Sequence, residues 1–351
     1  MLIENILEKL SNVSGVSGSE IKASSLIDEI FKKTCDKVKI DALGNIIALK
    51  SGNNRTNNRK IMIAAHMDEI GLMVKNIDKS GFLQFINVGG IDERTLLAQE
   101  VIVHGKNDIF GIIGAKPPHL QKKEEQNKST RMEDLYIDIG LSEKDARKQI
   151  SIGDFITINR SFTYLKGKSV SGKALDNRAG IAAIIQCMKE LKYIKHYLDV
   201  YFVATVQEEV GLRGATTSSF NIIPDIGIAI DVGHGRTPDL AKEDTIELGK
   251  GPAIALGANI HPKIYKRLVD IAKEYNIPYQ IEVNPSSSGT DAWAIQVTQS
   301  GVPTGLLSIP LRYMHTSVEL ANINDIKLTG RLLALFIASI NDTDLEEWLC
   351  Y

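Results

Sequence analysis

Four strongly apolar segments constrain the possible folds of this chain more than any other feature. They are IMIAAHMDEIG, DVYFVATVQ, PDIGIAID and VPTGLLSIP, and polar residues stand at their carboxyl ends. Such unbroken apolar runs are typical of central strands that helices cover on both faces. Helical patterns alternate with them, as in DNRAGIAAIIQCMKELKYI, KIYKRLVDIAKEYN and INDIKLTGRLLALFIASIN. The alternation predicts an α/β fold.

The segment from residue 72 to residue 164 has a different pattern. Short β-like runs follow one another at the spacing of a small barrel or sandwich, with one helical pattern near residues 142–150. We predict that residues 1–71 and 165–351 form the two parts of an α/β domain and that residues 72–164 form an inserted β-rich domain. Within the insertion, AKPPHLQKKEEQNKSTR predicts a loop. Near the N-terminus, KVKIDALGNIIALK predicts a strand.

The composition of the chain limits the kinds of molecule that it is expected to bind. The chain of 351 residues carries a formal net charge of −2, so it has no global basic field for nucleic acid. No run approaches the roughly 18 apolar residues of a membrane span, and MLIENILEKLSNVSG predicts an amphipathic helix, not a signal peptide. The three cysteines show no paired spacing, which argues against disulfides and a cysteine-based zinc site. We expect a cytoplasmic protein that binds neither nucleic acid nor membranes.

Five fragments place potential metal ligands at or beside the ends of apolar runs. In open α/β sheets, ligands bind outside the carboxyl ends of the strands, where residues far apart in sequence meet. The fragments are AAHMDEIG with His66, KALDNRAG with Asp176, VQEEVG with Glu209, AIDVGHG with Asp231, and RYMHTSVE with His315. Two imidazoles and three carboxylates suit Zn²⁺, Co²⁺ or Mn²⁺. Two divalent ions would leave this cluster net positive and able to activate water, so two ions are predicted.

Two of these fragments raise a further question about side-chain direction. Glu208 and Glu209 are adjacent, and adjacent residues of an extended chain point to opposite sides, so we expect them to have different functions. Asp176 has a second explanation, because it precedes the helix predicted from Asn177 and is a preferred N-cap residue type.

Five motifs resemble, in order, those of the tetrahedral aminopeptidases of metallopeptidase family 42: AAHMDEIGLMV, GKALDNRAG, QEEVGLRGA, GTDAWAIQ and IPLRYMHTS. The family also contains glutamyl aminopeptidases and proteins once labelled cellulase M. The resemblance covers nearly the whole chain, including INVGGID, GAKPPHL and LYIDIG in the insertion. It implies a mixed central sheet flanked by helices, as in zinc peptidases, with an inserted small barrel-like domain for dimerisation. Two departures are an extra histidine in DVGHGRTPDL and Thr316 where a serine is expected.

Carried over residue by residue, the resemblance implies a site with two divalent ions per subunit. His66, Asp176 and Asp231 would hold one ion. Glu209 and His315 would hold the other, with Asp176 bridging the pair.

The resemblance also implies the catalytic functions of two acids. Glu208 would act as the general base, taking a proton from the attacking water and giving it to the departing amine. Asp68 would orient the His66 ring without binding a metal ion. The implied substrates are short peptides that lose their N-terminal residue, and the implied assembly is a homo-oligomer, from a dimer to a tetrahedral dodecamer.

Other functions remain open from the sequence. A carboxypeptidase or amide deacylase with a similar bimetal core would need a cationic anchor, which Arg178, Arg213 or Arg312 could supply. A glycoside hydrolase also uses paired carboxylates, but two tryptophans provide little sugar-stacking surface. A non-catalytic binding protein would not need both the ligands and the base. The residue preferred at the substrate N-terminus, and whether His119 or the loop of residues 115–131 reaches a neighbouring subunit's site, do not follow from the sequence.

Overall fold

Residues 2–53, 59–120, 131–285 and 289–349, which this computed structural model describes, form one large sheet, one closed barrel and the helices around them. The strands are β1 (Lys37–Ile40), β2 (Ile46–Lys50), β3 (Lys60–His66), β4 (Gly71–Ile77), β5 (Leu83–Val88), β6 (Glu100–His104), β7 (Asp108–Ala115), β8 (Leu135–Asp138), β9 (Phe155–Ile158), β10 (Thr163–Tyr164), β11 (Ser169–Gly172), β12 (Asp199–Thr205), β13 (Ile226–His234), β14 (Ala253–Gly257), β15 (Gln280–Asn284), β16 (Thr304–Arg312) and β17 (Glu319–Asn322). The α-helices are α1 (Ile3–Asn12), α2 (Ile21–Phe31), α3 (Glu143–Gln149), α4 (Leu175–Glu190), α5 (Arg213–Ile222), α6 (Pro262–Glu274), α7 (Asp291–Gln296), α8 (Ile323–Ala338) and α9 (Asp342–Leu349).

The large sheet is mixed, with a parallel centre. Strands β12, β3, β13 and β16 lie side by side and run in the same direction, so their carboxyl ends meet at one edge. Antiparallel strands complete the sheet, with β2 and β1 beyond β12, and β17, β11 and β10 beyond β16. A branch formed by β14 and then β15 also starts from β16. The prediction of a mixed α/β sheet is confirmed.

Helices cover both faces of this sheet because its central strands are apolar on both sides. In β3, Ile61 and Ile63 pack into a core with residues of α1, α4 and α8, whereas Met62 and Ala64 pack with residues of α5 and α7. All four side chains are fully buried. Burial on both faces explains why the strand shows no alternation of apolar and polar residues. Among the described helices, none has both the length and the apolar character needed to cross a membrane.

The prediction of one strand in KVKIDALGNIIALK is wrong. The segment forms a hairpin in which β1 and β2 pair in antiparallel fashion. The Asp41 carboxylate accepts hydrogen bonds from the backbone N–H groups of Leu43, Gly44 and Asn45, and Gly44 has a φ of 111°. A short acidic side chain followed by glycine is a turn signal that outweighs the β-type residues on either side.

The middle of the chain forms a closed six-stranded barrel in the order β4, β5, β8, β7, β6 and β9. Its strands lie between Gly71 and Ile158 and surround their own apolar core. Helix α3 starts after Ser142, whose hydroxyl accepts a hydrogen bond from the backbone of Asp145. In the predicted loop of residues 115–131, His119 lies in an exposed short turn, and residues 121–130 lie outside the described residues.

Candidate metal centre

The five predicted ligands meet at the carboxyl edge of the parallel strands. His66 ends β3, Asp231 lies in β13, Glu209 follows β12, Asp176 lies near the start of α4, and His315 follows β16. All five line one cavity of about 390 Å³. The parallel central strands bring together side chains that are up to 249 positions apart in the chain (315 − 66), as the topology of an open α/β sheet requires.

Asp176 lies at the centre of this group. Its Oδ1 is 3.1 Å from His66 Nε2, and its Oδ2 is 3.4 Å from His315 Nε2. Asp231 Oδ1 is 3.9 Å from His66 Nε2, and Glu209 Oε1 is 3.4 Å from His315 Nε2. Two triplets result, each with ligand atoms within 4.8 Å of one another: His66, Asp176 and Asp231, and Asp176, Glu209 and His315. The triplets share Asp176.

The N-cap explanation for Asp176 is wrong, because Asn177 makes the capping contact. Asn177 Oδ1 accepts a hydrogen bond from the backbone N–H of Gly180, and its Nδ2 donates to the carbonyl of Ile230. The backbone at Asp176 is not helical (φ −78°, ψ 104°), and the Asp176–Asn177 peptide bond is cis. The Asp176 carboxylate faces the two histidines, and Asn177 caps the helix.

Glu208 and Glu209 are not in extended chain, so the geometric reason given for their different directions is wrong. Strand β12 ends at Thr205, Gln207 has a φ of 54°, and the carbonyl of Glu208 accepts hydrogen bonds from the backbone of a following turn. Both glutamates line the same cavity. Glu209 contacts His315, whereas Glu208 Oε2 is 3.9 Å from His66 Nε2 and belongs to neither triplet.

Asp68 lies behind the cavity and contacts several of its residues. Its carboxylate is fully buried and lies 3.5 Å from Nδ1 of His66, which is also 3.2 Å from the Asp68 carbonyl oxygen. The carboxylate accepts hydrogen bonds from the Ser17 hydroxyl and from the backbone N–H groups of Glu208 and Glu209. Asp68 thus orients one imidazole and the turn that carries both glutamates.

Glu319 is a site residue that the sequence analysis missed. Its buried carboxylate accepts a hydrogen bond from the backbone N–H of Asp176 through Oε2 and from that of His315 through Oε1, both at 3.0 Å. It therefore holds the backbone at two of the candidate ligands. The available signal was its position in RYMHTSVE, where it is an isolated acid four residues after His315.

Helix α7 contributes a second missed acid. Thr290 caps this helix, because its side chain accepts a hydrogen bond from the backbone N–H of Ala292. Asp291 is buried, and its Oδ2 accepts a hydrogen bond from the Thr205 hydroxyl at the end of β12. Burial raises the pKa of Asp291 to about 6. Burial and, after it, nearby acids that include Asp291 raise the pKa of Glu208.

The barrel supplies part of the cavity wall. The loop after β5 contains Gly89 and Gly90, and Gly90 lines the cavity. A Cβ atom at Gly90 would lie 3.0 Å from His315 Nδ1, and one at Gly89 would lie 3.3 Å from the Cβ of Glu209. Gly89 also has a φ of 79°, so glycine suits this loop where it passes over two candidate ligands.

The electrostatics of the cavity fit divalent cations. Burial raises the pKa of the Glu208 carboxyl to about 10, and hydrogen bonds to Asp176 and Glu209 raise the pKa of His315 to about 11. Burial alone would raise the pKa of Asp176, but hydrogen bonds from His315 and His66 outweigh it and lower that pKa. No lysine or arginine is among the described residues that line the cavity. A buried cluster of acids without lysine or arginine gains stability from bound cations, and imidazole with carboxylate is a donor set for divalent metals.

A mixed α/β sheet with imidazoles and carboxylates grouped at its carboxyl edge is the arrangement of a metal-dependent α/β enzyme. The profile described as M42 glutamyl aminopeptidase matches residues 44–332. The chain therefore belongs to the M42 family of metal-dependent peptidases, and it is an aminopeptidase, as the resemblance predicted.

Individual relatives resemble the chain over almost its whole length. The lysyl aminopeptidase of Pyrococcus furiosus is 38% identical over 347 residues, which cover 97% of this chain and 98% of that protein. The structure of a TET aminopeptidase from a marine sediment Thaumarchaeota archaeon superposes with a TM-score of 0.94 at 31% identity, covering 99% and 98% of the two chains. That of the Pyrococcus horikoshii TET1 peptidase, which can assemble into a tetrahedron or a large octahedral shell, gives 0.85 at 34% identity, covering 97% and 100%.

Proposed function

We propose that this aminopeptidase removes the N-terminal residue of short peptides with two divalent metal ions and Glu208 as general base. The observation that carries the proposal is that Asp176 directs one carboxylate oxygen at each of two histidines. His66, Asp176 and Asp231 would hold one ion, and Asp176, Glu209 and His315 the other. When bound, Zn²⁺, Co²⁺ or Mn²⁺ ions supply Lewis acidity, which polarises the peptide carbonyl and lowers the pKa of water.

Glu208 is the acid that the proposal leaves for proton transfer. It lines the cavity, belongs to neither triplet, and has Oε2 3.9 Å from His66 Nε2. We assign to its carboxylate the proton taken from the attacking water and then given to the departing amine nitrogen. General acid–base catalysis needs such a group within reach of the water but not bound to a metal ion.

Asp68 and Glu319 would orient the ligands without touching substrate. With its Nδ1–H donated to the Asp68 carbonyl, His66 presents the Nε2 lone pair to the cavity, and Asp68 has the usual role of an acceptor behind a metal-binding histidine. Glu319 fixes the backbone of Asp176 and His315.

The rival carboxypeptidase or deacylase lacks its anchor in the described part of the cavity. Arg178 is fully buried and donates to the carbonyl of Leu10. Arg213 and Arg312 are not among the cavity-lining residues. The described part of the cavity therefore offers a substrate carboxylate no lysine or arginine, whereas its carboxylates can pair with a free α-amine.

A substrate panel tests the proposed function. After metal removal and readdition of Zn²⁺, Co²⁺ or Mn²⁺, we expect aminoacyl anilides to be cleaved with a kcat/KM at least about 100-fold above that of their N-acetylated forms, because a charged group loses its partner in the blocked substrate. Chelated protein should be inactive. Equal hydrolysis of blocked substrates or of C-terminal residues would favour the rival, and cellulose hydrolysis that survives chelation would favour a glycoside hydrolase.

We also propose that the protein is a homo-oligomer and that residues 72–164 form a separate domain that makes subunit contacts. The assembly of the Pyrococcus horikoshii relative supports this, as do the apolar side chains of Phe110 and Ile112, which are 47% and 50% exposed on the outer face of β7. Light scattering should give at least twice the subunit mass, and Phe110→Asp with Ile112→Asp should lower it. Leu240→Asp, at another exposed apolar side chain, is the matched control. A monomeric wild-type protein would contradict the proposal.

A further inference from the structure

The cavity extends beyond the candidate ligands to a second acidic group. Glu282 of β15 lines it together with Ser308 of β16 and Asn284. Glu282 belongs to neither triplet of possible metal ligands, and the proposed proton transfer does not use it. It is therefore an acid in a substrate cavity without an assigned function.

The sheet places Glu282 away from the candidate ligands. Asp231 and Ser308 are partners in the pairing of β13 with β16, and β14 lies between β16 and β15. The Ser308 hydroxyl donates a hydrogen bond of 2.5 Å to Glu282 Oε2. Ser308 thus stands between a candidate ligand and Glu282. A substrate whose α-amine lies near the metal ligands needs a long side chain to reach this carboxylate.

Gly233 provides the space in which the carboxylate lies. A Cβ atom at this position would be only 2.7 Å from Glu282 Oε1 and 3.2 Å from the Cβ of Ser308. The first distance is shorter than a real Cβ contact, so a larger residue would displace the carboxylate. The backbone of β13 therefore accommodates Glu282 in its position beside the cavity.

Glu282 has no cationic partner among the described ion pairs, and the described part of the cavity has neither lysine nor arginine. Its hydrogen bonds come from neutral groups, the Ser308 hydroxyl and the Asn284 side chain. His234 also lines the cavity and is exposed, and its charge when protonated lowers the pKa of Glu282. Burial, the largest effect, raises the pKa of Glu282. A cationic ligand group would form a charge-assisted hydrogen bond with it.

Part of the remaining wall of the cavity is apolar. Val232, Leu306 and Met314 line it together with the polar groups. A side chain with an aliphatic stem and a cationic end matches this combination, because the stem can pack against apolar surface while the charged end is paired. Lysine and arginine have this composition. An aspartate or glutamate side chain at this position would meet the like charge of Glu282.

We infer that Glu282 is a specificity-determining residue that selects peptides with lysine or arginine at the N-terminus. The inference rests on the proposed aminopeptidase mechanism and names its substrate class. Glu282 would pair with the ammonium or guanidinium group of that residue, and Ser308 would hold the carboxylate in position. Glu282 takes no part in the chemical step.

Two matched substrates test the inference directly. Lysine and norleucine anilides carry side chains with equally long aliphatic stems, and lysine adds the charged group. We expect the metal-loaded wild-type protein to cleave the lysine anilide about 10- to 100-fold better in kcat/KM, the range of one hydrogen bond to a charged group. Glu282→Gln should lower this ratio by the same factor, and Glu282→Lys should favour glutamate over lysine substrates. Glu274→Gln, an exposed glutamate of α6, should leave the ratio unchanged.

The possible failures are distinguishable. If norleucine or glutamate anilides are cleaved better than the lysine anilide, or if Glu282→Gln leaves the ratio unchanged, the inference is wrong while the aminopeptidase function stands. If no aminoacyl anilide is cleaved although N-blocked substrates are, the proposed function fails and the inference fails with it. The wild-type comparison decides the matter even if a Glu282 variant does not fold.

Discussion

Glu208→Gln is expected to lower kcat by about 10²- to 10⁴-fold, the contribution of a general acid–base group, while both metal ions remain bound. The amide cannot accept the proton of the attacking water. It also leaves the two triplets intact, since Glu208 belongs to neither. Metal content by mass spectrometry and kcat for an aminoacyl anilide, measured on the same sample, test both parts of this prediction.

Glu209→Gln is the matched comparison, because the two residues are adjacent and each substitution replaces one carboxylate oxygen by an amide nitrogen. Glu209 Oε1 lies 3.4 Å from His315 Nε2, so we expect this variant to bind one ion more weakly. Addition of excess Zn²⁺ or Co²⁺ should restore part of its activity but none of the activity lost in Glu208→Gln. If Glu208→Gln is the variant that loses metal, the functions of the two glutamates are exchanged.

Asp176→Ala is expected to remove both ions together. Its two oxygens face different histidines at 3.1 Å and 3.4 Å, and both triplets include it. We expect metal affinity to fall by more than about 100-fold, beyond the effect of removing a residue behind a ligand, and activity to fall with it. Titration of the metal-free protein with Zn²⁺ or Co²⁺ by calorimetry would show the loss of two binding events.

Asp176→Asn provides a form of the same size, so that loss of metal can be separated from a cavity in the core. Asp270→Ala, at an exposed position of α6, is the control and should bind two ions. Thermal unfolding of each metal-free variant checks that the chain still folds. Retention of one tightly bound ion by both Asp176 variants would contradict a bridging role.

The large sheet could be predicted from the sequence because a strand that is buried on both faces is apolar at successive positions. Ile61 and Met62 are adjacent, point to opposite faces and are both fully buried, so β3 reads as an unbroken apolar run. The hairpin between β1 and β2 could not be read in this way. There, hydrogen bonds from three backbone groups to Asp41 decide the structure, although the residues on either side have strand character.

The candidate ligands were proposed from the sequence because each stands in a motif at or near the end of an apolar run. The direction of each side chain depends on backbone detail that the motif does not specify. At Asp176 it depends on Asn177 capping the helix, and at Glu208 on a turn that begins after Thr205. Glu319 and Glu282 were missed because their significance depends on contacts across strands. One bonds to the backbone of Asp176, and the other meets Ser308 from a neighbouring branch of the sheet.

The loop with Gly89 and Gly90 has a consequence for protein engineering. Since this loop belongs to the barrel and lies directly against His315 and Glu209, the barrel cannot be excised as an independent cassette. A chain without the barrel would leave the cavity open to solvent on one side. A barrel transplanted from another protein would need glycines at the same two positions of this loop.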